Sequence, residues 1–218
     1  MTSLPKGSGW ICFDTTALLH FNAVGHLDTL GSWFPRAFAP EVVIEEEIRE
    51  PLPRYPKNQA ILDAGWLEAV TVEEPSDLKD VAEIHKRFGR RAGQDRGEAE
   101  VVVLCARYGW TAIIDDTNGQ RAAQDYNAPC CTILTMILGA AGGGLIESRD
   151  AWQLHTDLET SRGPGRSALK AEKVHRNAFE QCVRQFARIS EQRKLQWPEV
   201  LALKGADGLV IRTRNTTM

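Results

Sequence analysis

Short apolar, β-prone runs alternate with helical segments along most of this sequence, and this alternation constrains the fold more than any other feature. The runs occupy residues 10–13, 37–40, 66–72, 111–114 and 131–134. Two parallel strands must be joined by a long crossover, which is usually a helix. The order therefore predicts an α/β fold, a three-layer α/β/α sandwich with a central parallel sheet.

Acidic residues stand at the ends of these runs and near the starts of helices. They are Asp14 after the first run, Glu46 or Glu47 in the helical segment after the second, Glu98 at the start of a later helix, and Asp115 and Asp116 after the fourth run. Ligands of such sheets bind beyond the carboxyl ends of the strands. We therefore expect these carboxylates to gather at one edge of the sheet.

Taken singly, each carboxylate has an ordinary structural explanation. Asp14 is a suitable helix cap, Glu98 favours the positive end of its helix, and an Asp-Asp pair commonly begins a turn. Taken together they indicate a cation, because several carboxylates packed side by side repel one another unless positive charge lies between them. Carboxylates bind Mg²⁺ and Mn²⁺, and such ions activate water in phosphodiester hydrolysis.

Four motifs, in this order, resemble those of PIN-domain nucleases. They are CFDTTALL at 12–19, PEVVIEEEI at 40–48, DRGEAE at 95–100 and AIIDDTNGQR at 112–121. The likeness covers roughly residues 9–147, and it is greatest to the branch with GEAE as its third motif. That branch resembles the VapC-type toxin ribonucleases of bacteria and archaea.

The resemblance implies a metal-dependent endoribonuclease and assigns roles to particular residues. Asp14, Glu98 and Asp116 would bind Mg²⁺ or Mn²⁺ directly, and Asp115 and Glu47 would ligate the ion or orient its waters. The expected substrate contacts are Thr15, Asn118 and Arg121. Family members often carry Arg where Gln120 stands, so the fourth motif departs from the family pattern at that position.

The second motif leaves two candidates for its acid. Counting from Pro40 favours Glu46, whereas requiring an apolar residue directly after the acid favours Glu47, which precedes Ile48. We prefer Glu47.

The resemblance also implies partners. A toxin would cleave RNA and would be inhibited by an antitoxin protein that inserts a basic or polar segment into the acidic pocket. Independently of the resemblance, a homodimer is a candidate assembly. Two other functions stay open: a housekeeping nuclease that processes RNA or DNA, and a non-catalytic PIN-like module that binds RNA or protein. Metal-stimulated turnover would exclude the binding module, and a small neighbouring open reading frame would favour the toxin.

Charge divides the sequence into two parts. The net charge is −3 overall, but residues 1–150 carry −8 and residues 151–218 carry +5. We predict a PIN-like domain at 1–148 and a helical, basic extension at 149–218, with a long amphipathic helix at 168–189. The arginines and lysines of that helix could follow phosphates or form an ordinary solvated face, and its apolar side could dock a partner or a second copy.

Several classes of protein are disfavoured by missing motifs. The five cysteines form no CxxC pair and the five histidines form no HExxH pair, so neither a zinc site nor a disulfide framework is expected. No P-loop follows a strand, and a haloacid-dehalogenase-like enzyme would need Asp where Thr16 stands. No apolar run reaches the length of a membrane helix and no secretory signal begins the chain, so we expect a cytoplasmic protein that is not bound to a membrane.

Overall fold

Five parallel strands form the centre of the molecule. The structure is a computed structural model, and it describes residues 4–88, 95–160 and 174–202. The sheet has the order β3-β2-β1-β4-β5. Its strands are β1 (Ile11–Phe13), β2 (Ala37–Pro40), β3 (Leu67–Val70), β4 (Thr111–Ile113) and β5 (Cys130–Cys131). Each neighbouring pair is parallel, which confirms the predicted sheet.

Helices connect the strands and cover both faces of the sheet, as the α/β/α prediction requires. They are α1 (Thr15–Ala23), α2 (Leu27–Trp33), a π-helix (Val43–Arg49), α3 (Gln59–Leu62), α4 (Pro75–Phe88), α5 (Arg96–Tyr108), α6 (Thr117–Asp125), α7 (Ile133–Gly142), α8 (Ser148–Thr160) and α9 (Arg176–Arg193), with 3₁₀ turns at Pro56–Asn58 and Glu199–Ala202. None of the helices within the described ranges has the length and hydropathy that crossing a bilayer would need.

Strand β1 shows how the two apolar cores arise. Successive side chains of a strand point to opposite faces. Ile11 and Phe13 accordingly pack on one face with α1, α2, α7, α8 and α9, while Cys12 packs on the other face with α4, α5 and α6. All three side chains are almost fully buried, so β1 is covered on both sides. A parallel sheet buried on both faces explains why its strands are continuous apolar runs.

The strand order places a switch point between β1 and β4. The chain builds outward from β1 through β2 to β3 on one side, and then returns to build β4 and β5 on the other side. Crossovers on the two sides of β1 leave a crevice at the carboxyl ends of β1 and β4, where open α/β sheets bind their ligands. Asp14 follows β1, and Asp115 and Asp116 follow β4 shortly after Ile113.

The last strand is shorter than the sequence pattern suggests. The β-prone run at 131–134 predicted a strand there, but β5 ends at Cys131 and α7 begins at Ile133. Thr132 explains the difference, because its hydroxyl accepts a hydrogen bond from the backbone N–H of Thr135 at 3.1 Å and caps the helix.

The C-terminal segments lie against the sheet's first core. Side chains of α8, α9 and Glu199–Ala202 join α7 in the same apolar cluster as Ile11 and Phe13. Trp197 donates from Nε1 to the carbonyl of Trp33 at 2.9 Å and stacks on Phe34 with ring centroids 5.2 Å apart. The proposed boundary at 148/149 stays a prediction. The predicted helix at 168–189 begins at Arg176, and its positions 168–173 lie outside the described residues.

Candidate active site

Asp14 stands at the carboxyl end of β1, where it caps α1. The backbone N–H of Thr16 donates to its Oδ2 at 3.4 Å. The residue is only 8% exposed. Burial raises the pKa of Asp14, the backbone hydrogen bonds from Thr15 and Thr16 oppose this rise, and the nearby charge of Asp95 adds to it. Capping and membership of the acidic edge are thus both true of Asp14.

Glu47 reaches the same place from the π-helix. The hydroxyl of Thr15 donates a short hydrogen bond to Oε2 of Glu47. Burial above all, together with the charges of Asp14 and Asp95, raises the pKa of Glu47 to about 7, and hydrogen bonds from Thr15 and the backbone of Gly97 oppose this rise. A carboxylate with these neighbours is stabilised as an anion if positive charge is added beside it.

Glu46 and Glu47 point to different surroundings. Glu46 lies on the exposed side of the π-helix, where the guanidinium of Arg96 is 3.5 Å from its Oε1. Arg96 also donates from Nε to Oε1 of the buried Glu100 at 3.0 Å. The π-helical winding, with the N–H of Glu50 bonded to the carbonyl of Glu45 at 2.9 Å, sets this orientation. Of the two candidates for the second-motif acid, the structure brings Glu47 to Asp14.

Glu98 lies in the first turn of α5 and is 6% exposed. Its carboxyl group packs against the backbone of Gly119 in α6, beside the side chain of Ile114 at the end of β4. The favourable position near the positive end of a helix applies to Glu98 as well. It enters the carboxyl edge of the sheet from the β4 side, whereas Glu47 enters beside β1.

Asp115 and Asp116 follow β4 and each accepts a backbone hydrogen bond. Oδ1 of Asp115 accepts from the N–H of Ile133 at 2.8 Å, at the start of α7. Oδ1 of Asp116 accepts from the N–H of Asn118 at 2.7 Å and caps α6. Both residues are half-buried. In this arrangement they fix the starts of two helices at the edge where the other carboxylates lie.

Three residues were expected to contact substrate, and the structure places them differently from one another. The hydroxyl of Thr15 is engaged by Glu47. Asn118 and Arg121 are exposed on α6. Gln120 donates from Nε2 to the carbonyls of Ile114 at 3.2 Å and Asp115 at 3.3 Å, so it holds the loop after β4.

Sequence reasoning missed Asp95. This residue precedes α5 in a left-handed conformation with φ of 62°, and its charge raises the pKa of both Asp14 and Glu47. An Asp in that conformation is one of the few non-glycine residues that tolerate it. The signal was available, because Asp95 is the first letter of the DRGEAE motif.

The donor chemistry at this edge suits a hard divalent cation. Asp14, Glu47 and Glu98 are carboxylates held in buried or half-buried positions, and carboxylate oxygen is the ligand that Mg²⁺ and Mn²⁺ prefer. Within residues 4–88, 95–160 and 174–202, however, no group of three or more His, Cys, Asp or Glu side chains is arranged to hold a metal ion. The carboxylates therefore suit a cation by type and location, but their side chains do not already surround one point.

Comparison with known proteins gives one result. No curated protein and no solved structure matches the chain. The family model described as PIN domain matches residues 10–161, which is more than half of the 218 residues. The matched range contains every carboxylate described above. The chain belongs to the PIN-domain family.

Proposed function

We propose that this protein is a metal-dependent endoribonuclease that hydrolyses RNA phosphodiester bonds with Mg²⁺ or Mn²⁺, and that it is the toxin of a toxin-antitoxin pair. Membership of the PIN-domain family supports nuclease chemistry. The GEAE sequence at 97–100, which resembles that of the VapC-type branch, supports RNA as the substrate and an antitoxin as the partner.

One observation carries the proposal. Asp14, Glu47 and Glu98 come from three separate elements of the chain, and the fold brings them to the carboxyl edge on either side of the switch point between β1 and β4. Burying like charges opposes folding unless opposite charge or hydrogen bonds stabilise them. A bound cation would offset the repulsion between these carboxylates, and this supports a cation-binding site.

The proposed ligands are Asp14, Glu98 and Asp116, with Glu47 and Asp115 as further ligands or as residues that orient water. A bound divalent cation would supply Lewis acidity and neutralise the charge that develops on the phosphate. Since no three of these side chains already form such a group among the described residues, the proposal requires that some of them rotate on binding.

The chain's own residues then have distinct tasks. Thr15 fixes the orientation of Glu47 through its hydroxyl, and that hydrogen bond favours the charged form of Glu47. Gln120 holds the loop that presents Asp115 and Asp116. The exposed Arg121 is in a position to meet a phosphate on the solvent side of α6.

RNA must also overcome the acidity of the first 150 residues. On α9, Arg184 and Arg188 are exposed and one helical turn apart, so they lie on one face. This face is the proposed phosphate contact, and its positive charge offsets repulsion between RNA and the acidic edge.

The matched pair Glu47→Gln and Glu46→Gln, together with Asp14→Asn, tests the proposal. Purified full-length variants are incubated with a panel of RNA and DNA oligonucleotides in Mn²⁺, in Mg²⁺ and in EDTA. We expect metal-stimulated RNA cleavage by the wild type and by Glu46→Gln. Asp14→Asn and Glu47→Gln should each lose at least about a hundredfold in rate, because each removes a charge from the site.

Other outcomes identify the other functions. An Asp14→Asn protein that cleaves RNA at the wild-type rate would overturn the site assignment. Turnover on DNA as well as RNA would indicate a processing nuclease. Absence of metal-stimulated turnover on every oligonucleotide, with RNA or protein binding intact, would indicate a non-catalytic module.

A further inference from the structure

Two glycines lie directly against the glutamates of the acidic edge. A Cβ placed on Gly97, at the start of α5, would lie 2.5 Å from Oε1 of Glu47 and 2.6 Å from Cγ2 of Val43. A Cβ placed on Gly119, in the first turn of α6, would overlap Oε1 of Glu98 and lie 2.6 Å from its Cδ. Folded proteins are packed too closely to absorb such overlaps without movement. Each glutamate therefore occupies space that only glycine leaves open.

Backbone conformation does not explain these glycines. The described glycines with positive φ are Gly7, Gly25, Gly109 and Gly144, so neither Gly97 nor Gly119 is among them. Both residues lie inside helices, where glycine destabilises the helix relative to alanine. What glycine provides at these two positions is the missing side chain.

The two contacts differ in how much freedom they leave. Glu98 is 6% exposed, and a methyl group on Gly119 would also lie 2.8 Å from Cγ2 of Ile114. The carboxyl group of Glu98 therefore has little room to move away from a methyl group at position 119. Glu47 is only half-buried and sits on a π-helix at the edge, so its carboxyl group can turn toward solvent if Gly97 gains a methyl group, and the contact of that methyl with Cγ2 of the buried Val43 would remain.

We propose that Gly97 and Gly119 are positioning residues for the acidic edge. Their missing side chains let the carboxyl groups of Glu47 and Glu98 pack against the starts of α5 and α6, and so keep both groups at the carboxyl edge of the sheet, beside the proposed cation site. This inference rests on the proposed metal-binding function of the same site. Gly119 is the stricter of the two, because Glu98 has no route to solvent comparable to that of Glu47.

A double-mutant cycle between positions 98 and 119 tests the inference on the full chain. Gly119→Ala is made alone, with Glu98→Ala and with Glu98→Gln. Tm is measured in EDTA, and Mn²⁺ affinity is measured by calorimetry. Gly119→Ala alone should lower Tm by about 4–8 °C. With Glu98→Ala it should lower Tm clearly less, since the overlap with the carboxyl group is gone, alanine is the better helix former, and the contact with Cγ2 of Ile114 is what remains.

The Glu98→Gln background separates shape from charge. Glutamine has the shape of glutamate, so the Tm loss from Gly119→Ala should persist there. Gly119→Ala alone should weaken Mn²⁺ binding by about 10–100-fold, the usual effect of disturbing a group that orients a metal ligand. In the Glu98→Gln background it should weaken Mn²⁺ binding no further, because the carboxylate it positions is already gone. A purely structural role for Gly119 would not produce this split.

Gly65→Ala is the matched control, since a Cβ at Gly65 meets nothing within 4 Å. It should change neither Tm nor Mn²⁺ affinity. The inference is overturned if Gly119→Ala lowers Tm equally with Glu98→Ala, or if it leaves Mn²⁺ affinity unchanged. Normal Mn²⁺-dependent RNA cleavage by Gly119→Ala would overturn it while leaving the proposed function intact. Absence of Mn²⁺ binding by the wild type would overturn the proposed function, and the Tm cycle would still report on the contact.

Discussion

The acidic edge and the helical layer formed by α7, α8 and α9 are both buried, but they differ in the ionisable groups that they bury. The edge crowds carboxylates together, and burial raises the pKa of Asp14 and Glu47. The helical layer buries mainly apolar side chains around His155, which is 2% exposed and stacks on Phe179 with ring centroids 5.8 Å apart. The helical layer contributes stability to the fold, whereas the crowded carboxylates of the edge oppose folding, a cost that the proposed cation site would explain.

The largest change in stability is expected from a substitution in the helical layer. Phe179 is fully buried, and it contacts the ring of Trp152 edge-on with centroids 5.4 Å apart as well as stacking on His155. Phe179→Ala should lower the free energy of unfolding by about 3–5 kcal/mol, because it leaves a cavity in a well-packed core. Urea denaturation followed by circular dichroism measures this loss.

A matched control is Leu145→Ala, since Leu145 is 42% exposed. It should change stability by less than about 0.5 kcal/mol. Below the unfolding transition, the Phe179→Ala protein should retain wild-type Mn²⁺ affinity. Loss of that affinity would show that the helical layer and the acidic edge are not separable.

The second largest change in stability is expected at the acidic edge, where the free energy of unfolding should depend on pH through Glu47. The folded pKa of Glu47 is about 7, above its ordinary value of 4.5. Between these values the unfolded chain releases a proton that the folded chain keeps, so this group makes the protein less stable as pH rises. Compared with Glu47→Gln in EDTA, the wild type should lose about 2–3 kcal/mol between pH 4.5 and pH 8. Equal pH profiles of the two proteins would contradict the burial of Glu47 among like charges.

The smallest change in stability is expected at His155 in the helical layer, where the dependence on pH is opposite to that at Glu47. Burial lowers the pKa of His155 below its ordinary 6.5. Its Nε2 is buried and accepts no hydrogen bond from the described residues. The unfolded chain therefore binds a proton before the folded chain does, and this group costs stability as pH falls below 6.5. His155→Phe keeps a ring against Phe179 and should remove this contribution, which urea titrations at about pH 5 and about pH 8 would reveal.

Local sequence patterns were enough to predict the sheet. Apolar runs, helix caps and the residues after each strand placed β1 and β4 with their acidic ends, because these features depend on neighbours a few positions away. It was harder to decide whether Glu46 or Glu47 is the acid of the second motif, since the answer depends on π-helical winding that local propensities do not predict.

Contacts between distant residues could not be predicted. Trp197 donates to the carbonyl of Trp33 across 164 positions, and this contact helps fold the C-terminal segments into the sheet's core. Nothing in the spacing of either tryptophan indicates the other. Asp95 differs, because the DRGEAE motif contains it, but its influence on Asp14 depends on how the start of α5 is placed against β1.

The strand order also sets when the site can exist during synthesis. Strand β4 lies between β1 and β5 in the sheet, although it is made long after β1, β2 and β3. Until Gly119 has left the ribosome, a nascent chain has Asp14 and Glu47 but lacks the backbone against which Glu98 rests. A growing chain therefore cannot bring the complete set of carboxylates together before α6 has been made.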